Sequence, residues 1–269
     1  MVYVFLIVIG IIAGFASGLF GIGGGIIIVP AFYFIFKYFG LPIDQVMRLA
    51  VGTSLAVMIF SSLSSFSGHL KYKNIIWKIV LNSLAGIAIG IVLGAVTSDF
   101  INGEIVAIIF SLFLLFTAAK ITFQLIVEHK KGNPEKVYCS EMKKSHLGVF
   151  GFILGYVSTL LGIGGGSIAI PYFLHNNIEP KKIAGTTASY TVIVSIIGTS
   201  SYLILGFGAV HDISYTIGYI YLPALFCMVP PCLIFARIGA KIANHAPEKL
   251  LKILLIILIA FAGVKMLFT

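Results

Sequence analysis

The feature that most constrains this chain is a seventeen-residue apolar phrase, rich in glycine, that occurs twice. The first copy, GFASGLFGIGGGIIIVP, runs from Gly14 to Pro30, and the second, GYVSTLLGIGGGSIAIP, runs from Gly155 to Pro171. Ten of the seventeen positions are identical, including the GIGGG core and the final proline. Each copy interrupts an apolar stretch that otherwise has the composition of a helix. Corresponding glycine-broken segments in two halves of a membrane protein indicate a binding site between the halves.

The composition indicates an all-α polytopic membrane protein. Hydrophobic residues make up 59% of the 269 residues and charged residues only 10%, and the mean hydropathy is +1.09. Soluble domains carry about a quarter charged residues. Several uncharged runs reach the roughly 20 residues that cross a bilayer as a helix. We therefore expect an integral multi-pass protein with the lipid bilayer around it.

The net charge of +9 does not indicate a nucleic-acid partner. The basic residues lie in short loops between apolar stretches, where the positive-inside rule places them. The three cysteines do not suggest a disulfide framework.

Similarity between the two halves indicates an internal duplication. We divide the chain into a first transmembrane repeat at 1–127, a cytoplasmic linker at 128–146 and a second transmembrane repeat at 147–269. Each half has four apolar stretches, which makes eight apolar helical stretches in total. Besides the glycine phrase, two segments recur in the same order: AVGTSLA (50–56) with IAGTTAS (183–189), and LGAVTSDFINGE (93–104) with IGAKIANHAPEK (238–249).

The basic residues favour a topology in which each glycine stretch enters and leaves the membrane on one face. If all eight stretches crossed, the 18 Lys and Arg would divide almost evenly between the two sides. The uncharged stretch from Tyr3 to Phe36 is also too long for one helix across a hydrocarbon core of about 30 Å. With two re-entrant hairpins, fifteen basic residues lie on one side and three, Lys37, Arg48 and Lys265, on the other. This asymmetry agrees with the positive-inside rule.

We therefore predict two inverted repeats, each a glycine-broken re-entrant hairpin plus three transmembrane helices. An odd number of crossings in each half inverts the second half relative to the first, so the repeats are related by an axis in the membrane plane. The basic side is cytoplasmic and both termini lie outside.

The glycine phrases predict a substrate-binding site for a small oxyanion. Irregular backbone at membrane depth is tolerated only where it is buried in protein or lines a wet cavity. The half-helix after each break exposes unpaired N–H groups and the positive end of its dipole, which suit an anion. The alternative is that the glycines only permit close helix packing. The glycine candidates are Gly21, Gly23, Gly24, Gly25, Gly162, Gly164, Gly165 and Gly166.

Hydroxyl side chains complete the predicted binding set. A Gly-Thr-Ser segment at 52–54 and a Gly-Thr-Thr segment at 185–187 occupy matching places after the two glycine phrases. Such hydroxyls can donate to an anion, or they can bond a carbonyl one turn earlier in their own helix. The hydroxyl candidates are Thr53, Ser54, Thr186 and Thr187, which we rank first because they recur as a pair, and Ser17, Ser158 and Ser167.

The acidic residues narrow the substrate class. All nine lie in or beside predicted loops, so no mid-membrane carboxylate is available for a proton relay or a cation cage. This favours an anionic or neutral substrate. The sequence contains no metal-ligand cluster, no nucleophile with a base at matching depth and no phosphate-binding loop. We therefore expect no metal, no cofactor and no enzymatic activity.

The paired GxxSGxxGIGGGxxxxP phrase, the GTS-type segment and the stretch SGHLKYKNIIWK resemble the TauE/SafE sulfite-exporter family, which is also grouped with toluene-sulfonate uptake permeases. The resemblance covers essentially the whole chain. It implies a permease of the bacterial-type inner (plasma) membrane that moves small sulfur oxyanions or organosulfur acids, such as sulfite or sulfoacetate.

From the residues and the resemblance together, we predict a permease that works by alternating access at a midplane site between the two GIGGG hairpins. Its expected partners are a small anionic substrate and the bilayer. The sequence does not decide between a monomer and a homo-oligomer. A passive anion channel with the same site is one alternative. A non-transporting membrane anchoring subunit is another, although the longest polar segment, Glu128–His146, offers little docking surface.

Overall fold

A computed structural model describes residues 2–20, 23–71, 73–130, 143–176, 178–208, 215–243 and 248–268. These residues are almost entirely helical. The only strands among them form a small antiparallel hairpin, in which β1 (Thr216–Ile217) pairs with β2 (Ile220–Tyr221). Most of the predicted linker, 131–142, lies outside the described residues.

Ten helices follow one another along the described chain. The first five are α1 (Val2–Phe20), α2 (Gly25–Tyr38), α3 (Ile43–Lys71), α4 (Trp77–Phe100) and α5 (Gly103–Lys130). The last five are α6 (Lys144–Leu161), α7 (Gly166–His175), α8 (Pro180–Leu205), α9 (Leu222–Ala243) and α10 (Glu248–Leu267). The predicted count of eight apolar stretches is therefore not confirmed, because the chain breaks at each glycine phrase and makes two helices there.

The described chain has the helices of a multi-pass membrane protein. Six segments are long and apolar enough to cross a membrane: Ile43–Lys71, Trp77–Phe100, Gly103–Phe123, Lys144–Leu161, Lys182–Leu205 and Leu222–Gly239. Large apolar side chains also cover the outer surface; Phe116, Phe226 and Phe261 are each about two-thirds or more exposed. Apolar surface of this extent is expected where lipid tails surround a protein. The prediction of an all-α polytopic membrane protein is confirmed.

The break in each glycine phrase has a backbone cause. Gly23 and Gly24 adopt φ angles of 77° and 85° just before α2, and Gly162 adopts 66° just after α6. Residues with a side chain rarely occupy this left-handed region, whereas glycine does so readily. The chain can therefore leave one helix and start the next within a few residues. Gly21 and Ile22 lie outside the described residues.

Helix α6 packs along α4 with glycines at the contact. A Cβ on Gly151 would lie 2.5 Å from the carbonyl oxygen of Ser83, and one turn later a Cβ on Gly155 would meet the backbone of Ile87. Residue numbers increase together along the contact, so the two helices run in the same direction. Glycines spaced four apart let helix backbones approach closely in a membrane, where van der Waals packing holds helices together.

Helix α1 packs along α9 in the same way. A Cβ on Gly10 would lie 3.1 Å from the carbonyl oxygen of Met228, and one on Gly14 would lie 2.7 Å from that of Cys232. The Cys232 thiol also donates to the Gly10 carbonyl oxygen at 3.2 Å. These positions correspond, through the sequence duplication, to those at the α4–α6 contact. The first helix of each half thus packs on the fourth helix of the other.

Helices α3 and α8 form the centre of the molecule and run in opposite directions. The Oγ atoms of Ser62 and Ser195, which are equivalent in the duplication, lie 3.4 Å apart. Earlier on α3, the Leu55 side chain lies 3.1 Å from the Cβ position of Gly198, which is later on α8. Because Ser62 lies opposite Ser195, parallel helices would place Leu55 opposite a residue before Ser195. Leu55 instead contacts Gly198, which comes after Ser195, so the two helices are antiparallel.

We predict that a large side chain at the α4–α6 contact destabilises the fold. Gly151→Leu would force the two backbones apart, at a cost of about 1–3 kcal/mol for overpacking. Gly148→Leu, one turn earlier on α6, is the matched control, because nothing lies within 4 Å of its Cβ position. Thermal unfolding of the purified proteins in detergent should give a lower Tm for Gly151→Leu only. Equal Tm values for the two variants would contradict this packing.

Candidate functional site

The two glycine phrases lie directly against each other, and we call this contact the glycine junction (Gly23–Gly25 and Gly162–Gly166). A Cβ on Gly25 would lie 2.5 Å from the Gly162 carbonyl oxygen and 2.9 Å from the Ile163 Cα. The Cβ position of Gly23 lies 3.6 Å from the Gly164 Cα. Only residues without a side chain allow this approach of backbone to backbone. Segments about 140 residues apart in sequence therefore share one site.

Side chains of helices α3 and α8 contact the glycine junction. The Ser54 hydroxyl donates to the Gly162 carbonyl oxygen at 3.0 Å, and the Ser61 hydroxyl donates to that of Gly23 at 3.2 Å. The side chains of Met58 and Thr191 lie next to Gly23. None of these residues is charged. The junction therefore presents backbone dipoles and hydroxyls rather than formal charges.

Helix N-termini border the junction. Helix α2 starts after Gly24 and α7 starts after Gly165, and neither N-terminus is capped by a side chain. The first N–H groups of a helix have no partner within the helix and carry its partial positive charge. Such groups can bind an anion without a lysine or arginine.

Three of the predicted hydroxyls are buried without a hydrogen-bond partner. Ser17 near the end of α1 is 1% exposed, and its equivalent Ser158 near the end of α6 is fully buried. Ser167, the second residue of α7, is 9% exposed. The Oγ atom of each lacks a partner among the described residues. The Thr159 hydroxyl of the second phrase, which was not predicted, is likewise buried without a partner among the described residues. Buried polar groups are normally satisfied, so these four hydroxyls are candidates for contact with a ligand.

The recurring Gly-Thr pairs fasten the two halves together. The Thr53 hydroxyl accepts a hydrogen bond from the Tyr221 N–H at 3.0 Å, directly before α9. The Thr186 hydroxyl accepts one from the Ile76 N–H at 3.1 Å, directly before α4. Each threonine thus holds the start of the fourth helix of the other half.

The glycine before each threonine allows this contact. The Cβ position of Gly52 falls against the Tyr219 carbonyl oxygen, and that of Gly185 against the Asn74 carbonyl oxygen. A side chain at either position would displace the loop that the threonine binds. We call the two contacts the Gly-Thr clamps.

The predicted hydroxyls therefore divide into two groups. Thr53 and Thr186 belong to the clamps, Ser54 bonds the Gly162 carbonyl oxygen, and the Thr187 hydroxyl donates to the Ala184 carbonyl oxygen at 3.1 Å in its own helix. These four have protein partners, whereas Ser17, Ser158 and Ser167 have none. Among the glycine candidates, Gly23, Gly25, Gly162 and Gly164 make the contact between the two phrases, whereas the Cβ positions of Gly24 and Gly165 face Ala13 and Tyr190. Gly166 is the first residue of α7, and Gly21 is outside the described residues.

Other junction residues were not predicted from the sequence. They are Met58, Ser61 and Thr191 beside Gly23, together with the central pair Ser62 and Ser195. The central pair could have been found, because each serine follows its Gly-Thr motif by the same number of residues. The residues at the positions equivalent to Met58 and Ser61 in the other half are of a different type, so the repeat does not identify these two residues.

A polar cluster ties the starts of α3 and α9 to the end of α4. The Arg48 side chain donates to the Asp99 carbonyl oxygen at 2.5 Å, and the Tyr219 hydroxyl donates to the Asp99 carboxylate at 2.8 Å. Burial raises the pKa of the Tyr219 phenol, and the hydrogen bond to Asp99 raises it further. Tyr219 therefore stays protonated and keeps the clamp loop in place.

No group of three or more His, Cys, Asp or Glu that could hold a metal ion occurs among the residues that the structure describes. The junction itself is made of glycine backbone, hydroxyls and apolar side chains.

The comparisons with known proteins agree with a transport role. The family described as sulfite exporter TauE/SafE matches residues 6–266. A Methanocaldococcus jannaschii protein named probable membrane transporter protein MJ0441 is 34% identical over 97% of this chain and 94% of its own length. A probable membrane transporter protein of Haemophilus influenzae is 29% identical over 91% of this chain and 90% of its own.

A third relative, probable membrane transporter protein YunE of Bacillus subtilis, is 28% identical over 100% of this chain and 98% of its own length. No solved structure matches the chain.

We predict that removal of a clamp hydroxyl lowers stability. Thr53→Val and Thr186→Val each leave a partly buried backbone N–H without its acceptor, which costs about 1 kcal/mol. Thr97→Val is the control, because the Thr97 hydroxyl is exposed and bonds only the Leu93 carbonyl oxygen of its own helix. Thermal unfolding in detergent should show a lower Tm for the two clamp variants than for the control. If all three variants unfold at the same temperature, the clamps do not join the halves.

Proposed function

The chain belongs to the sulfite exporter TauE/SafE family and is a membrane transporter, and from this premise we propose that it is a permease for small anions such as sulfite or organosulfur acids. The observation that carries the proposal is the glycine junction. Two uncharged, glycine-rich backbones meet there beside uncapped helix N-termini. Four buried hydroxyls of the same phrases, those of Ser17, Ser158, Thr159 and Ser167, have no partner among the described residues. Hydrogen-bond donors without a fixed cation can bind an oxyanion and also release it.

The proposed architecture is two inverted repeats with boundaries at 1–127 and 147–269. The antiparallel contact of α3 with α8 supports it, because these helices are the third of each half. If equivalent spans run in opposite directions, the halves have opposite orientations in the membrane. The pseudo-two-fold axis then passes between Ser62 and Ser195. The crossed packing of α1 on α9 and of α6 on α4 follows the same symmetry.

The proposed mechanism is alternating access around the junction. In each half, the broken pair of helices is a hairpin that reaches the junction from one face. Close glycine contacts couple each hairpin to the fourth helix of the other half. A hairpin and that helix are therefore expected to move as one body, which would expose the junction to one face while closing it from the other.

The test is uptake of radiolabelled sulfite by the purified protein in proteoliposomes, with and without a pH gradient. We predict saturable uptake that unlabelled sulfite and sulfoacetate inhibit. Accumulation against a gradient separates a carrier from a passive channel. The absence of any uptake, from a protein that is folded in the vesicles, would favour a non-transporting subunit.

We predict that the unpartnered serines contribute to substrate affinity. Ser17→Ala, Ser158→Ala and Ser167→Ala should each raise the half-saturating sulfite concentration about tenfold, as expected when a hydrogen bond to a charged ligand worth about 1.5 kcal/mol is lost. The control is Ser111→Ala, because the buried Ser111 hydroxyl bonds the Ala107 carbonyl oxygen within α5. Unchanged half-saturation in all three variants would rule out the junction as the binding site.

A further inference from the structure

A cleft lies between the last turns of α3 and the later part of α9, and none of the glycine-junction residues lines it. Its volume is about 450 Å³, and it is lined by Ser64, Ser67, Gly68, Lys71 and Arg237. The first four come from α3 and the last from α9. In the proposed topology this cleft opens on the basic, cytoplasmic side.

The chemistry of the cleft suits an anion. Lys71 and Arg237 are exposed, and neither makes a salt bridge with any residue that the structure describes. No lining residue is acidic. The Ser67 hydroxyl donates to the Ser64 carbonyl oxygen at 2.8 Å, whereas the Ser64 hydroxyl is buried without a partner. A concave site with two cations and a spare hydroxyl donor concentrates small anions.

Comparison of the two halves shows that the positive charges of Lys71 and Arg237 are not repeated at the equivalent positions. At the positions that correspond to Lys71 and Arg237, the other half carries Ile204 and Val92. Ser200, which corresponds to Ser67, donates to the carbonyl oxygen of its own helix at 3.0 Å. The two equivalent positions in the other half are therefore uncharged. Close packing of the repeats alone does not account for the two cations.

One face of α3 connects the cleft with the junction. Ser61, Ser64, Ser65 and Gly68 recur at helical spacing and therefore lie on the same side of the helix. Ser61 bonds the Gly23 carbonyl oxygen at one end of this row, and Ser64 and Gly68 line the cleft at the other. Next to Ser64 on this face, the Ser65 side chain is 6% exposed and its hydroxyl has no partner among the described residues.

We propose that the cleft is an anion-capture site, which collects a small oxyanion from the basic side and passes it along the serine face of α3 to the glycine junction. The inference rests on the proposed function for its transport role. The binding chemistry of the cleft is measurable without transport.

The first experiment measures the preference of the cleft for anions by chemical labelling. In the Ser67→Cys protein in phosphatidylcholine vesicles, the rates of reaction with an anionic and a cationic methanethiosulfonate are compared. Mass spectrometry of the peptide that contains position 67 separates this site from the native cysteines. The Lys71→Gln/Arg237→Gln double variant should lower the anionic-to-cationic rate ratio about tenfold, because two nearby charges act on reagents of opposite sign.

The matched control is Lys73→Gln/Lys182→Gln, which removes the same charge from residues that do not line the cleft. This control should change the ratio much less. Equal ratios in the two double variants would overturn the proposal, since the potential at position 67 would then come from the general surface charge.

The second experiment distinguishes a soluble anion from a lipid headgroup. The same ratio is measured in vesicles that contain phosphatidylglycerol. A ratio still sensitive to Lys71 and Arg237 supports capture of a soluble anion. If phosphatidylglycerol abolishes the sensitivity, the cleft is a headgroup site and the proposal is wrong.

The third experiment tests whether the cleft contributes to transport. Lys71→Gln/Arg237→Gln should raise the half-saturating sulfite concentration about threefold or more for flux that starts at the basic side, with the maximal rate retained. For flux from the opposite side, the half-saturating concentration should stay the same and the maximal rate should fall, because detailed balance requires the ratio of maximal rate to half-saturating concentration to change equally in both directions. An equal rise of the half-saturating concentration in both directions would contradict a one-sided capture site. A wild-type protein that shows the labelling preference but no uptake would instead contradict the proposed function and leave anion capture standing.

Discussion

The contact of the two glycine phrases is the constraint on which the rest of the structure depends. Gly25 lies against Gly162 with no room for a Cβ atom, and Ser54 bonds the Gly162 carbonyl oxygen from the side. This contact brings broken helices from both halves to one point. Because the chain there is irregular and buried, its polar groups must be satisfied by protein or by a ligand. Ser17 and Ser158 have no hydrogen-bond partner among the described residues, and in the proposed function they bind the ligand.

The duplication accounts for how such a contact can be held in a membrane. Each half supplies the same parts: two helices separated at the glycine phrase, a central helix with a Gly-Thr clamp, and a fourth helix that packs on the first helix of the other half. Thr53 and Thr186 make equivalent bonds to Tyr221 and Ile76. The halves therefore support each other reciprocally. The cleft with Lys71 departs from this symmetry, because the equivalent position carries Ile204. Such a departure can make the affinity for the substrate differ between the two faces of the membrane.

Much of the fold could be predicted from the sequence, because composition and individual glycines determine where the helices form and where they break. Composition indicated membrane helices, and the positive-φ glycines Gly23, Gly24 and Gly162 broke them where the repeated phrase predicted. The roles of the hydroxyls were harder to predict. The recurrence of Thr53 and Thr186 suggests ligand binding, and the structure adds a second reason for it, since both hydroxyls bond backbone N–H groups far away in sequence. The β1–β2 hairpin, only two residues a strand, is too short to leave a periodic pattern.

The central claim is that an anion binds where the two glycine phrases meet. The most direct measurement is anomalous diffraction from crystals of the protein soaked with selenite, a heavier analogue of sulfite. The account predicts a selenium peak at the glycine junction, within hydrogen-bonding distance of Ser17, Ser158 or Ser167. Ser158→Ala should weaken that peak. A well-occupied selenium site elsewhere in the membrane region, with none at the junction, would contradict it.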